Sequence, residues 1–171
     1  MQKSLVITIL GPDQVGLVKS LSETLNQFKG SWTESRMSHL GGKFAGLLEV
    51  SVPTNEVENL TTALHALQTD TFKIMVDQCC EEPSAESMHS LSLEILGQDR
   101  PGIILDITQQ LATLNVNIEE LESEVKPASM SGGILFSAKL KLGLPEGVSS
   151  DEVQDTLESM SDQFMVDIDI S

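Results

Sequence analysis

A chain of 171 residues is long enough for one ordinary domain or for two small ones, and its 40% hydrophobic and 21% charged content excludes a disordered or collagen-like protein. The formal net charge of −16, from 26 acidic and 10 basic side chains, creates a field that repels nucleic-acid phosphates and anionic lipid headgroups, so neither direct nucleic-acid binding nor membrane binding is expected. No apolar run approaches the roughly 18 residues of a membrane-spanning helix, and the amino-terminal segment reads as a strand and not as a signal peptide, which leads to the expectation of a cytoplasmic protein.

The first strand, around Val6-Ile7-Thr8-Ile9-Leu10, delivers the chain into Gly11-Pro12-Asp13-Gln14-Val15-Gly16-Leu17-Val18. A helix follows, because Leu17, Val18, Leu21, Leu25 and Phe28 fall on one stripe that can cover a sheet. A second strand over Ser31–Leu40 leads to Gly41-Gly42, whose freedom at positive φ suits a reversal. The third strand runs over 44–52 and is closed by Pro53, which lacks a ladder donor. Val57, Leu60, Leu64 and Leu67 predict a second helix, with Glu56 in its first turn where negative charge suits the helix dipole. A last strand over 72–79 completes the unit, and the acidic, proline-bearing stretch Glu81-Glu82-Pro83-Ser84-Ala85-Glu86-Ser87 reads as a linker.

Beyond the linker the same order returns. Leu91-Ser92-Leu93-Glu94-Ile95-Leu96 leads into Gly97-Gln98-Asp99-Arg100-Pro101-Gly102-Ile103-Ile104, in which Gly97, Asp99 and Gly102 stand 86 positions (97 − 11) after Gly11, Asp13 and Gly16. Ile103, Ile104, Ile107, Leu111 and Leu114 repeat the helical stripe, and Pro101 is placed in the first helical turn, where proline is favoured. The second strand is expected over residues 117–126 and the third over Phe136 to Leu144, followed by Pro145. There the offset has become 92 (136 − 44), so the hairpin containing Pro127-Ala128-Ser129-Met130-Ser131-Gly132-Gly133 is the longer one. Val153, Leu157 and Met160 mark the last helix, with Asp151-Glu152 in its first turn, and a strand over 164–170 closes the chain.

The fold class is therefore α+β. Two units, residues 1–80 and 88–171 joined by a linker over 81–87, each read β-α-β-β-α-β, the order of a ferredoxin-like four-stranded antiparallel sheet with two helices on one face. The uncovered face and the edge strands give such units a reason to associate with each other or with a second copy as a homodimer.

Little suggests catalysis. His39, His65 and His89 are scattered, and the adjacent pair Cys79-Cys80 has neither disulfide, zinc nor CxxC spacing, so no metal is expected. The glycine turns lack the Lys-Ser/Thr pair of a phosphate-binding loop, no nucleophile elbow or dinucleotide turn is present, and no cofactor is expected. Trp32 reads as a core or interface residue.

A strand, a Gly-x-Asp-x-x-Gly turn and an aliphatic helix start inside a βαββαβ unit resemble the ACT domain, and the resemblance covers nearly the whole chain apart from the linker. Two such units with no catalytic domain further resemble the glycine cleavage system transcriptional repressor family. The resemblance implies a regulator and not an enzyme. It also implies a small amino acid, glycine in the narrower family, bound where the glycine turn meets a helix start at an interface between ACT domains, so that a ligand carboxylate rests near Val15-Gly16 or Pro101-Gly102 and Asp13 or Asp99 receives its ammonium group. Gln14 and Arg100 belong to the same turns, and Asn117, opening the second strand of the second unit, matches a position that often holds the ligand; Ser31-Trp32 stands there in the first unit. Glycine in each turn would leave room for the close approach of a ligand or neighbouring backbone. A plainer reading is that the aspartates cap their helices. The partner implied is a LysR-type activator held inactive, and the alternative is a free-standing ACT module giving feedback control to a metabolic enzyme.

Overall fold

The computed structural model describes residues 1–79, 89–127, 133–160 and 164–169, the last of these by its backbone. The expected linker at 81–87, Cys80, most of the longer hairpin loop (128–132, with Gly132) and Ile170 lie outside the described residues. The chain divides into two compact units, Met1–Glu82 and Pro83–Ser171.

The first unit runs β1 (Gln2–Pro12), α1 (Leu17–Gln27), β2 (Ser31–Leu40), β3 (Lys43–Pro53), a short 3-10 turn (Thr54–Glu56), α2 (Val57–Ala66) and β4 (Lys73–Gln78). The second runs β5 (His89–Gln98), α3 (Ile103–Thr113), β6 (Asn117–Pro127), β7 (Ile134–Leu144), α4 (Ser150–Glu158) and β8 (Phe164–Asp169). Each sheet has four strands, ordered β2-β3-β1-β4 and β6-β7-β5-β8, with every neighbouring pair antiparallel. The expected architecture stands, and the strands differ from expectation only at their ends.

Period-two alternation decides which face is covered. In β1, Leu5, Ile7 and Ile9 are buried, as are Leu48, Val50 and Val52 of β3, and these meet Leu21 and Leu25 of α1 and Leu60 and Leu64 of α2. The second core repeats the plan with Leu91, Leu93 and Ile95 of β5, Leu140, Leu142 and Leu144 of β7, Ile107 and Leu111 of α3, and Val153 and Leu157 of α4. On the opposite face of the second sheet the rows are charged: Glu94, Lys139 and Glu122 lie in register, as do Ser92, Lys141 and Glu120. Such a face is stable in water without a cover.

The repeat reaches details that no motif announces. Both edge strands bulge at the same place, between Trp32 and Glu34 and between Ile118 and Glu120, and at the first bulge the Thr33 hydroxyl donates to the Glu49 carbonyl at 2.9 Å. Both first helices end in a left-handed residue, Lys29 (φ 57°) and Asn115 (φ 54°), which lets the amides of Gly30 and Val116 reach back to the carbonyls of Leu25 and Leu111. Gly41 and Gly42 take positive φ as expected. Trp32 is 36% exposed on its edge strand, so it is not a core residue of the first unit. Glu56 precedes α2 as its N-cap, and the acid in that helix's first turn is Glu58; Asp151 and Glu152 sit where expected, behind Ser149, whose hydroxyl accepts from the Glu152 amide.

On β6 the Lys126 ammonium donates to Glu124 at 2.5 Å, and this bond holds the Glu124 carboxyl below its ordinary value while raising Lys126. A lowered acid favours the fold above its ordinary pKa and loses that contribution as pH falls. In Lys126→Gln, followed by NMR titration, the Glu124 midpoint should move upward; an unchanged midpoint would show that this bond does not persist in solution. Alanine at Gly16 or Gly102, whose φ values are 94° and 85°, should cost roughly 1–2 kcal/mol in urea unfolding because a β-carbon strains the left-handed region, and a change of a few tenths would argue against that backbone.

Candidate functional site

Each first strand must become a helix within a few residues, and the glycine turn makes the change. Gly16 and Gly102 are the N-caps of α1 and α3, both left-handed, and their carbonyls accept from the amides of Ser20 (2.9 Å) and Asp106 (3.0 Å). Asp13 and Asp99 tie the turns to the neighbouring hairpins through backbone amides, which donate to the carbonyls of Gly42 (3.1 Å) and Ile134 (2.9 Å).

Three expectations about this turn change. Neither aspartate side chain caps its helix, because a left-handed glycine holds the N-cap position and no side chain bonds to the helix start. Pro101 precedes that glycine and lies outside α3, so it shapes the turn and not the helix. A β-carbon on Gly16 or Gly102 would meet no other atom of the protein within 4 Å, so within the fold these glycines are required for φ and not for close approach of neighbouring backbone. Close approach matters instead at Gly11, where a β-carbon would stand 2.7 Å from the Phe72 ring and 3.3 Å from the Phe72 Cα.

Asp13, Gln14, Val15 and Gly16 are exposed together on the first turn, and Asp99, Pro101 and Gly102 are exposed on the second, with Arg100 half-buried. Gln14, Val15 and Gly16 line an open cleft of about 520 Å³, together with Pro12, Leu17, Ser20 and Leu21 on one side and Leu67, Thr69, Thr71 and Phe72 on the other. Asp13 is not among its walls. The loop between α2 and β4, which sequence reasoning did not single out, is thus half of the cleft. It is braced by the Thr69 hydroxyl, which accepts from the Phe72 amide at 3.0 Å, and by Gln68 Oε1, which accepts from the Ile74 amide at 3.2 Å. The residues carrying that signal, Thr69-Asp70-Thr71, are ordinary turn formers and look like punctuation in the sequence.

At the second turn the Arg100 guanidinium donates to Asp106 at 2.5 Å, reaching across the start of α3. Asn117 is exposed at the first position of β6, opposite Gly143, as Ser31 is in β2 opposite Ser51. A second hollow, about 440 Å³, lies over the charged rows of the second sheet between Glu94, Glu120, Glu122, Lys139 and Lys141. Its walls are side chains standing on a sheet with the Lys141 ammonium 3.7 and 3.8 Å from Glu119 and Glu120, so the turn-side cleft, enclosed by two loops and a helix, is the better candidate for a small molecule. Among the described residues no cluster of His, Cys, Asp and Glu could hold a metal ion, and no helix is long and apolar enough to cross a membrane.

The ACT-domain family profile matches residues 3–76 and 89–171, which is both units. The chain belongs to the ACT-domain family. Within it, the glycine cleavage system transcriptional repressors of Escherichia coli (strain K12) and Shigella flexneri are each 22% identical over 161 residues, covering 93% of this chain and 84% of the relative. Among solved structures, a protein of unknown role from Galdieria sulphuraria superposes with a TM-score of 0.85 at 28% identity over 100% of this chain and 99% of its own. A crystal structure put forward as a glycine cleavage system transcriptional repressor gives 0.71 at 16% identity with the same coverage, which shows the shared fold. The chain is an ACT-domain regulatory protein related to that repressor.

The Arg100–Asp106 pair is more than a third exposed on both sides, so its contribution to stability is small. Asp106→Asn should lower stability by less than about 1 kcal/mol, and by less still in 1 M salt; a loss above about 2 kcal/mol would mean that the pair holds the turn together.

Proposed function

We propose that this protein senses a small amino acid, glycine first among the candidates, and represses a glycine cleavage operon by binding its LysR-type activator. The observation that carries the reading is the pair of matched glycine turns in a two-unit ACT chain whose similarity to the glycine cleavage repressor extends over 93% of its length. The contact residues on this reading are Asp13, Gln14, Val15 and Gly16 in the first unit, with Asp99, Arg100, Pro101, Gly102 and Asn117 as the same device in the second.

Physical chemistry supports each step. The amides that open α1 have no carbonyl to meet inside the helix and point at the turn, where a carboxylate is welcome. Asp13 is exposed beside them and can accept from an ammonium group. The net charge of −16 disfavours direct contact with DNA, so control of transcription passes through another protein. An amino acid then acts through unequal affinity for the free and the activator-bound chain. Titrating the chain with a purified LysR-type activator of a glycine cleavage operon, with and without saturating glycine, should give dissociation constants that differ by about tenfold, a coupling of roughly 1.4 kcal/mol. Equal constants, or no complex, would remove this reading, and so would tight binding of the chain alone to operator DNA.

A further inference from the structure

The two sheets turn different surfaces to the side that no helix covers. In the first sheet, alternation with the buried Leu5, Ile7 and Ile9 puts Val6, Thr8 and Leu10 of β1 on that side, and the strand register lays three rows across them. The middle row is Arg36, Leu47, Thr8 and Met75. On β6, β7 and β5 the equivalent positions are Glu122, Lys139 and Glu94, a charged row that needs no cover. In the first unit Leu47 is 52% exposed, Met75 60% and Leu10 51%, and Leu10 stands diagonally from both, so the three form one apolar patch.

Charge is sorted to the two ends of this patch. Toward the start of β1 the adjacent row sets Glu34, Glu49 and Asp77 beside Val6. Toward its end the rows set Lys73 beside Leu10, and then Lys43 beside Pro12. Arg36, at the β2 edge of the middle row, is held by Glu34 at 3.1 Å. Bases and acids therefore balance on this face, although the chain carries a net charge of −16, and a second copy approaching it meets less repulsion than that total would impose.

A face that is acidic at one end, basic at the other and apolar between them fits its own copy turned end for end. A two-fold axis lying between two such faces and across the strands lays each middle row on its twin, Leu47 on Leu47 and Met75 on Met75. The same axis sets Lys73 of each copy over Asp77 of the other, because the two flank Met75 symmetrically on β4. The Lys73 ammonium donates to the Thr69 carbonyl at 3.2 Å and keeps further donors for that carboxylate. With the strands running the same way, acid would lie over acid and base over base, so charge selects the reversed direction.

We propose that the open face of the first sheet is a self-association surface, on which the same face of a second copy lies with its strands reversed, Leu47 and Met75 at the centre and Lys73 opposite Asp77. The proposal is independent of amino-acid sensing. It gives the homodimer expected from an uncovered sheet a particular face and a particular direction.

The test is sedimentation velocity on the full chain from about 1 to about 100 µM, a range in which the unaltered chain should pass from monomer to dimer. Leu47→Lys and Met75→Glu change exposed side chains, and each should raise the dissociation constant about tenfold or more with the circular dichroism spectrum unchanged. Val125→Lys, at an exposed apolar position on β6 and outside this face, should leave the constant as it was. Lys73→Asp and Asp77→Lys should each weaken the dimer about tenfold, and the double variant should recover to within about threefold of the unaltered chain. A monomer throughout the range, or a dimer untouched by both Leu47→Lys and Met75→Glu, overturns the surface. A dimer lost only in Val125→Lys overturns it as well. A double charge variant no tighter than either single one overturns the reversed direction.

Discussion

A strand that ends over the middle of a sheet can place a helix back on that sheet only if the chain reverses within a few residues, and here a left-handed glycine permits the reversal. Gly16 and Gly102 hold φ values of 94° and 85°, which cost a residue with a β-carbon roughly 1–2 kcal/mol. From that geometry follow the direction of α1 and α3, the burial of Leu21, Leu25, Ile107 and Leu111 against the central strands, and the outward aim of the helix-opening amides. The hairpins are fixed to the same point by the amides of Asp13 and Asp99. One backbone conformation thus organises both the core and the exposed turn.

Most of the fold was legible because its determinants are local and periodic. Alternating Leu5, Ile7 and Ile9, the stripe through Leu21 and Leu25, and the second glycine pattern 86 positions later each report one side of a packed layer. What was not legible depends on geometry that sequence spacing does not encode. The aspartates looked like helix caps because Asp is a common cap, but the left-handed glycine takes that position and leaves their side chains outward. Lys29 in the left-handed region gives no warning, since lysine seldom adopts it and only the match with Asn115 reveals the shared helix end. The α2–β4 loop could not be joined to the glycine turn before pairing of β4 beside β1 brought Phe72 over Gly11.

Duplication with divergence explains the rest. The two halves keep the turn, the bulge and the helix end, which the fold requires, and differ in the side chains that clothe them. Gln14 and Ser20 against Arg100 and Asp106 is the difference with chemical consequence, because it exchanges neutral groups for an ion pair at the start of a helix. The strong acidity of the chain suits a partner with a basic surface and disfavours direct competition for DNA.

The most direct measurement is amide hydrogen exchange of the full chain with and without saturating glycine. The account predicts slower exchange across one or both glycine turns and the helix starts that follow them, residues 13–20 and 99–106. Slowing confined to residues outside both turns, or no slowing anywhere, would contradict it.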